Sequence, residues 1–149
     1  ELFAIQVPTT STNIVPQYVY CKKLVKNNTG ERPNFDGYNS TVEAFYYGTL
    51  ITGDEFDGNF DGYGATDRDI SLPLTDSSKW PTVFNSSSEF TVSGVIPGWT
   101  WTLQYMRVGE RWMLYIPWQS GYGSSGSSSG SIPGYTSLTF DVYLTGLVE

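Results

Sequence analysis

The chain has no histidine and a single cysteine, Cys21. Those absences remove much of the chemistry that side chains perform. There can be no Ser-His-Asp triad, no Cys-His pair, no histidine-ligated metal, no cysteine-based zinc site and no internal disulfide. Basic residues are also few: eight Lys and Arg against 15 Asp and Glu leave a net charge of −7, which would repel a phosphate backbone and argues against nucleic acid as a partner. No apolar run reaches the roughly 18 residues that a membrane-spanning helix needs. Cys21 lies in the alternation Tyr18-Val19-Tyr20-Cys21 and reads as a small buried hydrophobe rather than a reactive thiol.

What the chain does have is aromatic surface: 11 Tyr, eight Phe and five Trp in 149 residues. With abundant Val, Thr and Ser, this composition leans towards strands, and the length suits one mainly β domain with a real core. The opening Glu1 in place of Met suggests that a leader or tether was removed ahead of it.

Residues 1 to 17 are rich in Thr, Ser and Pro and read as a lead-in to a domain spanning 18 to 149. Strands are expected at 18 to 25, 41 to 50, 90 to 92, 112 to 117 and 138 to 147, separated by Asn-Asn-Thr-Gly, Asp-Gly and Pro-containing turn signals. Val95-Ile96-Pro97-Gly98 closes one strand. Trp99, Leu103 and Met106 then follow at i, i+4 and i+7, one face of a helix of about nine residues that only packing can hold. Residues 58 to 88 are dominated by Gly, Asp, Asn and Ser and read as a long surface excursion; residues 123 to 131 read as a flexible, low-complexity tip. NFDGY occurs twice, at 34 to 38 and 59 to 63, and reads as two similar Asp-Gly turns.

The ordered motifs GDEFD (53 to 57), VIPGW (95 to 99), LQYMRVGERWMLYIP (103 to 117), GYG (121 to 123), IP (132 to 133) and LTFDVYL (138 to 144) resemble FKBP-type peptidyl-prolyl isomerases. FTVSGVIPGWT is similar in wording to the bacterial macrophage-infectivity-potentiator branch. The resemblance implies an α+β, mainly β fold: a twisted five- or six-stranded antiparallel sheet wrapped around one short helix. It implies a proline pocket with Trp99 as floor, built from Tyr46, Phe56, Asp57, Val95, Ile96, Tyr122, Ile132 and Phe140. Trp101 and Trp112 have no role in that pattern. Ser88 aligns where many members place a further pocket phenylalanine, and the tip offers little grip on residues flanking the proline.

The implied activity needs no cofactor and no nucleophile, which suits a chain without histidine. Its partners would be proline-containing peptides or unfolded exported proteins, with a macrolide as inhibitor. The resemblance further suggests a monomer in the periplasm or tethered to the cell envelope. A non-catalytic peptide-binding or chaperone module stays open, depending on whether residues 58 to 88 cover the pocket. So does an aromatic-rich domain that stacks sugars on exposed Trp and Tyr. Residues 57 to 62 begin like a calcium loop, but Arg68 stands where a bidentate Glu is required, so a polar surface loop is expected, with Arg68 pairing Asp57 or another nearby carboxylate. The sequons at Asn27, Asn39 and Asn85 would matter only in a eukaryotic secretory route.

Overall fold

β-branched and aromatic residues at alternating positions build an antiparallel sheet, and the computed structural model of this chain describes it over residues 2 to 148. Seven strands, β1 (Leu2–Val7), β2 (Gln17–Val25), β3 (Thr41–Thr49), β4 (Glu55–Gly58), β5 (Ser88–Thr91), β6 (Arg111–Ile116) and β7 (Leu138–Val148), and one helix, α1 (Pro97–Leu103), make up the regular structure apart from short 3-10 turns. The order is β1-β2-β6-β7-β3-β4, with β5 also paired to β3.

The strand beyond the expected five or six comes from the lead-in. Phe3, Ile5 and Val7 alternate inward, and β1 pairs with β2 from Leu2↔Lys22 to Val7↔Gln17. The Thr, Ser and Pro residues that dominate the composition there lie in the connection after Val7, so they masked a strand that precedes them.

α1 starts on Pro97 at its first turn, where a missing N–H costs nothing, and is seven residues long, shorter than its sequence pattern. Met106 keeps its buried place through two tight turns after the helix, Tyr105 N–H to Thr102 O (2.9 Å) and Met106 N–H to Leu103 O (3.1 Å).

The period-2 alternation gives the sheet two chemically different faces. Trp112, Leu114 and Ile116 of β6 and Leu138, Phe140, Val142 and Leu144 of β7 pack with Trp99 and Leu103 of α1 into the main core. Cys21 is buried in that core, and burial pushes its thiol up to about 12. The opposite face carries Arg111, Met113 and Asp141, and residues after β4 fold over it.

That inserted segment differs from a surface excursion. Phe60 and Ile70 are buried, Ile70 against Leu24 and Met113, and beneath the segment lies an ion pair with both side chains 0% exposed. Arg111 donates from Nε to Asp141 Oδ1 (2.8 Å) and from Nη2 to Oδ2 (2.6 Å). The insertion completes the pair from above: Tyr63 N–H donates to Asp141 Oδ2 (2.8 Å), and Lys79 O accepts from Arg111 Nη2 (2.6 Å). The guanidinium sits 4.8 Å from the Trp80 ring centroid and 5.2 Å from that of Phe60. A polar-looking loop can dock here because charge-assisted hydrogen bonds and cation–π contacts replace the apolar periodicity that a sequence reading looks for. The NFDGY repeats also diverge. Gly37 turns the chain with φ +76°, whereas Gly62 packs where a Cβ would lie 2.6 Å from Asp141 Oδ2.

Candidate functional site: an aromatic pocket floored by Trp99

On the helix face an open cavity of ≈ 480 Å³ is lined by Tyr46, Phe56, Asp57, Phe90, Gly94, Val95, Ile96, Trp99, Tyr122 and Phe140. Trp99 is 3% exposed and forms the hub. Tyr46 (5.5 Å), Phe90 (5.0 Å) and Phe140 (5.3 Å) each meet its ring edge-to-face, and Phe56 meets Phe140 in the same way at 5.4 Å. Such pairs fix ring orientation as well as burying area. Among the described residues the buried indole Nε1 has no hydrogen-bond partner, the kind of polar group that is rarely left unmatched without a reason.

The wall before the helix is held by Thr100, whose Oγ1 donates to Val92 O (2.6 Å). Ile96 caps the helix with its carbonyl, accepting from Trp99 (2.9 Å) and Thr100 (3.0 Å), while among the described residues its own N–H has no acceptor. Polar groups gather on the other side. Burial, and then the neighbouring Asp57 carboxylate, push the Tyr46 phenol up from its ordinary value; the same two causes in the same order raise Tyr122. Both hydroxyls therefore keep their protons at neutral pH and can donate.

Of the residues expected at the pocket, Tyr46, Phe56, Asp57, Val95, Ile96, Trp99, Tyr122 and Phe140 are brought together. Ile132 is not: it is 3% exposed within the main core and absent from the lining. Its N–H donates to Ser127 Oγ (3.0 Å), which folds the tip back on itself.

Phe90 was missed. Ser88 was placed at the wall position, but its hydroxyl accepts from Asn59 Nδ2 (3.1 Å), and Phe90, two residues on along the same face of β5, fills the wall. Phe90 is the only aromatic in the residues directly before VIPGW, at the head of FTVSG, so counting back from Trp99 would have found it. Gly48 was also missed. A Cβ there would lie 2.7 Å from the Phe140 ring and 2.8 Å from that of Phe56, so two pocket rings close over this glycine.

Arg68 does not reach Asp57. The chain leaves β4 for the opposite face of the sheet, and the Arg111–Asp141 pair is the only ion pair among the described residues. The stretch that begins like a calcium loop is used differently: Asn59 Oδ1 accepts from Tyr46 N–H (2.7 Å) and its Nδ2 donates to Ala44 O (3.1 Å), extending the edge of β3. No residue between 59 and 88 lines the pocket, so the insertion does not cover it.

Residues 36 to 145 match the family profile described as FKBP-type peptidyl-prolyl cis-trans isomerase. Over 91 residues the chain is 47% identical to the macrophage infectivity potentiator of Trypanosoma cruzi, covering 57% of this chain and 46% of that one. Over 124 residues it is 46% identical to the FKBP-type 22 kDa peptidyl-prolyl cis-trans isomerase of Escherichia coli, covering 76% and 55%. The chain thus spans about half the length of these curated relatives. The crystal structure of a peptidyl-prolyl cis-trans isomerase from Pseudomonas syringae pathovar tomato superposes with a TM-score of 0.64 at 27% identity, covering 88% of this chain and 76% of that one. With the pocket, the sheet and the profile match in agreement, this chain belongs to the FKBP-type peptidyl-prolyl cis-trans isomerase family.

Proposed function

We propose that the chain catalyses cis-trans isomerisation of Xaa-Pro bonds in the Trp99 pocket. The observation that carries the reading is the closure of Tyr46, Phe90 and Phe140 around one tryptophan, leaving a cavity that is apolar at its base and polar at its rim. An Xaa-Pro bond resists rotation because resonance gives its C–N bond double-bond character, with a barrier near ~18–20 kcal/mol. Rotation removes that resonance and makes the amide less dipolar. A dry aromatic slot therefore disfavours the planar ground state relative to the twisted one, which is differential binding without covalent help.

Trp99 is the platform under the proline ring, and Phe56, Phe90, Val95 and Phe140 are its walls. The Ile96 N–H and the Tyr122 hydroxyl donate to substrate carbonyls. Asp57, which Tyr46 flanks, anchors the twisted imide. Each ~1.4 kcal/mol taken from the barrier is tenfold in rate, so about 5 kcal/mol shared among these groups yields several thousandfold.

The substrates proposed are proline-containing segments of unfolded exported proteins, met by a monomer in the periplasm or at the cell envelope. The likeness to the macrophage-infectivity-potentiator branch supports that setting. The open mouth of the pocket and the wall filled by Phe90 favour turnover over a non-catalytic module. The test is NMR exchange of a Leu-Pro-Phe peptide with micromolar protein, then with the family's macrolide added. Acceleration abolished by the macrolide is expected; no acceleration from folded protein would sink the proposal.

A further inference from the structure

On the face of the sheet opposite the pocket, two neighbouring cavities of ≈ 420 and ≈ 600 Å³ share Tyr20, Arg68 and Tyr115. Tyr18 (42% exposed) and Tyr20 (52% exposed) stand two residues apart on β2, and Tyr20 lies directly opposite Tyr115 of β6 in the sheet register. Together they make an open tyrosine platform. Arg68 reaches it from the insertion, is exposed, and among the described residues donates to no carboxylate or carbonyl.

The form of the platform restricts its ligand. β2 is paired on both sides, by β1 and β6, and β6 by β2 and β7, so no free backbone edge is available for an extended peptide to join. Recognition must come from ring faces, phenol hydroxyls and two cations, Arg68 in both cavities and Lys22 in the larger one, where its Nζ already donates to Ile70 O (3.5 Å). The smaller cavity holds Arg68 and no carboxylate; Asp67 borders only the larger one, where its Oδ2 is occupied by Gly64 N–H (2.7 Å). We propose that this platform is a second binding site, for an acidic oligosaccharide whose sugar rings stack on Tyr18, Tyr20 and Tyr115 and whose carboxylate pairs with Arg68.

The test uses the intact chain, isotope-labelled for NMR, titrated with trigalacturonate, with its methyl ester and with a hexaglutamate peptide. Trigalacturonate is expected to shift β2, β6 and the residues around Arg68 while leaving Trp99 unmoved. The ester and hexaglutamate should each bind at least tenfold more weakly. Arg68→Ala and Tyr20→Ala, both at exposed positions, should weaken trigalacturonate at least tenfold with prolyl isomerase activity unchanged, and Tyr18→Ala repeats the test if Tyr20→Ala fails to fold. The proposal is overturned by no shift at millimolar sugar, by shifts that persist in the variants, or by hexaglutamate binding as tightly as the sugar.

Discussion

The two faces of the β6–β7 sheet put similar residues to opposite uses. On the helix face, Tyr46, Phe90 and Phe140 pack edge-to-face around the nearly buried Trp99 and leave an open cavity that all four line. On the other face, Phe60, Tyr63 and Trp80 close over a guanidinium and leave none of it in water. What differs is what the aromatics surround. A buried charge must be paired, so the Asp141 carboxylate, Lys79 O and three rings converge on Arg111 and seal the site, with only Nη1 left without a hydrogen bond among the described residues. A tryptophan platform makes no such demand, so its rings can stop at walls. In this fold the closed cluster holds the insertion in place, and the open one is left for a ligand.

The largest effect should come from breaking the closed cluster. Asp141→Ala leaves Arg111 buried beside a lost partner and should cost about 3–5 kcal/mol, measured by urea unfolding. Replacing both residues with apolar side chains of similar size should cost clearly less, because no charge is then stranded. Isomerase activity per folded molecule should change little in either variant, since neither residue lines the pocket. A selective loss of activity at full stability would mean that the faces are coupled.

Gly48→Ala should give the next effect, and on the other face. Its Cβ would push the Phe56 and Phe140 rings from contacts of 2.8 and 2.7 Å. Overpacking of this kind costs about 1–3 kcal/mol, and kcat/KM should fall about tenfold because two pocket walls move together. Unchanged kinetics would show that the wall positions are not critical.

Asp57→Asn and Tyr122→Phe should each lower kcat/KM by about three- to tenfold, the worth of one hydrogen bond, with the unfolding midpoint little changed. A shift in stability without a change in rate would assign both residues to packing instead of the reaction.

The uneven legibility of this molecule in its sequence follows the same division. The open face could be read because its residues sit in short contiguous motifs, GDEFD and VIPGW, whose turn and helix-start signals are local. Gly48 could not, since the rings that demand it come from β4 and β7. The closed face was illegible for a related reason: Phe60, Lys79, Arg111 and Asp141 are far apart in the chain, and a buried ion pair has no periodicity to announce it. Strand β1 was hidden by the composition of its neighbours. Ser88 and Phe90 were confused because a one-sequence alignment across a long insertion can slip by two residues, one full period of the strand alternation, which keeps the side chain on the same face.

The smallest expected effect is a flat pH profile, and it distinguishes the faces by chemistry. No histidine is available to titrate near neutrality. Tyr46 and Tyr122, the phenols at the pocket rim, are both raised from the ordinary tyrosine value of 10.0, so they remain protonated donors well above neutral pH. Between roughly pH 6 and 9 the isomerisation rate constant, measured with one peptide and corrected for its uncatalysed exchange, should therefore stay within about twofold. A raised tyrosine value means that the folded chain holds its proton more tightly than the unfolded one. This part of the stability is present below pH 10 and is lost as pH climbs through the raised values, where the folded state must also give up the protons. Unfolding midpoints should accordingly begin to fall above about pH 9, first through Cys21, whose buried thiol is raised from 9.0 to about 12, and then further above pH 10 through the tyrosines. A bell-shaped activity profile centred near neutrality would instead require an acid–base group at the pocket, and would replace differential binding with proton transfer as the source of the rate.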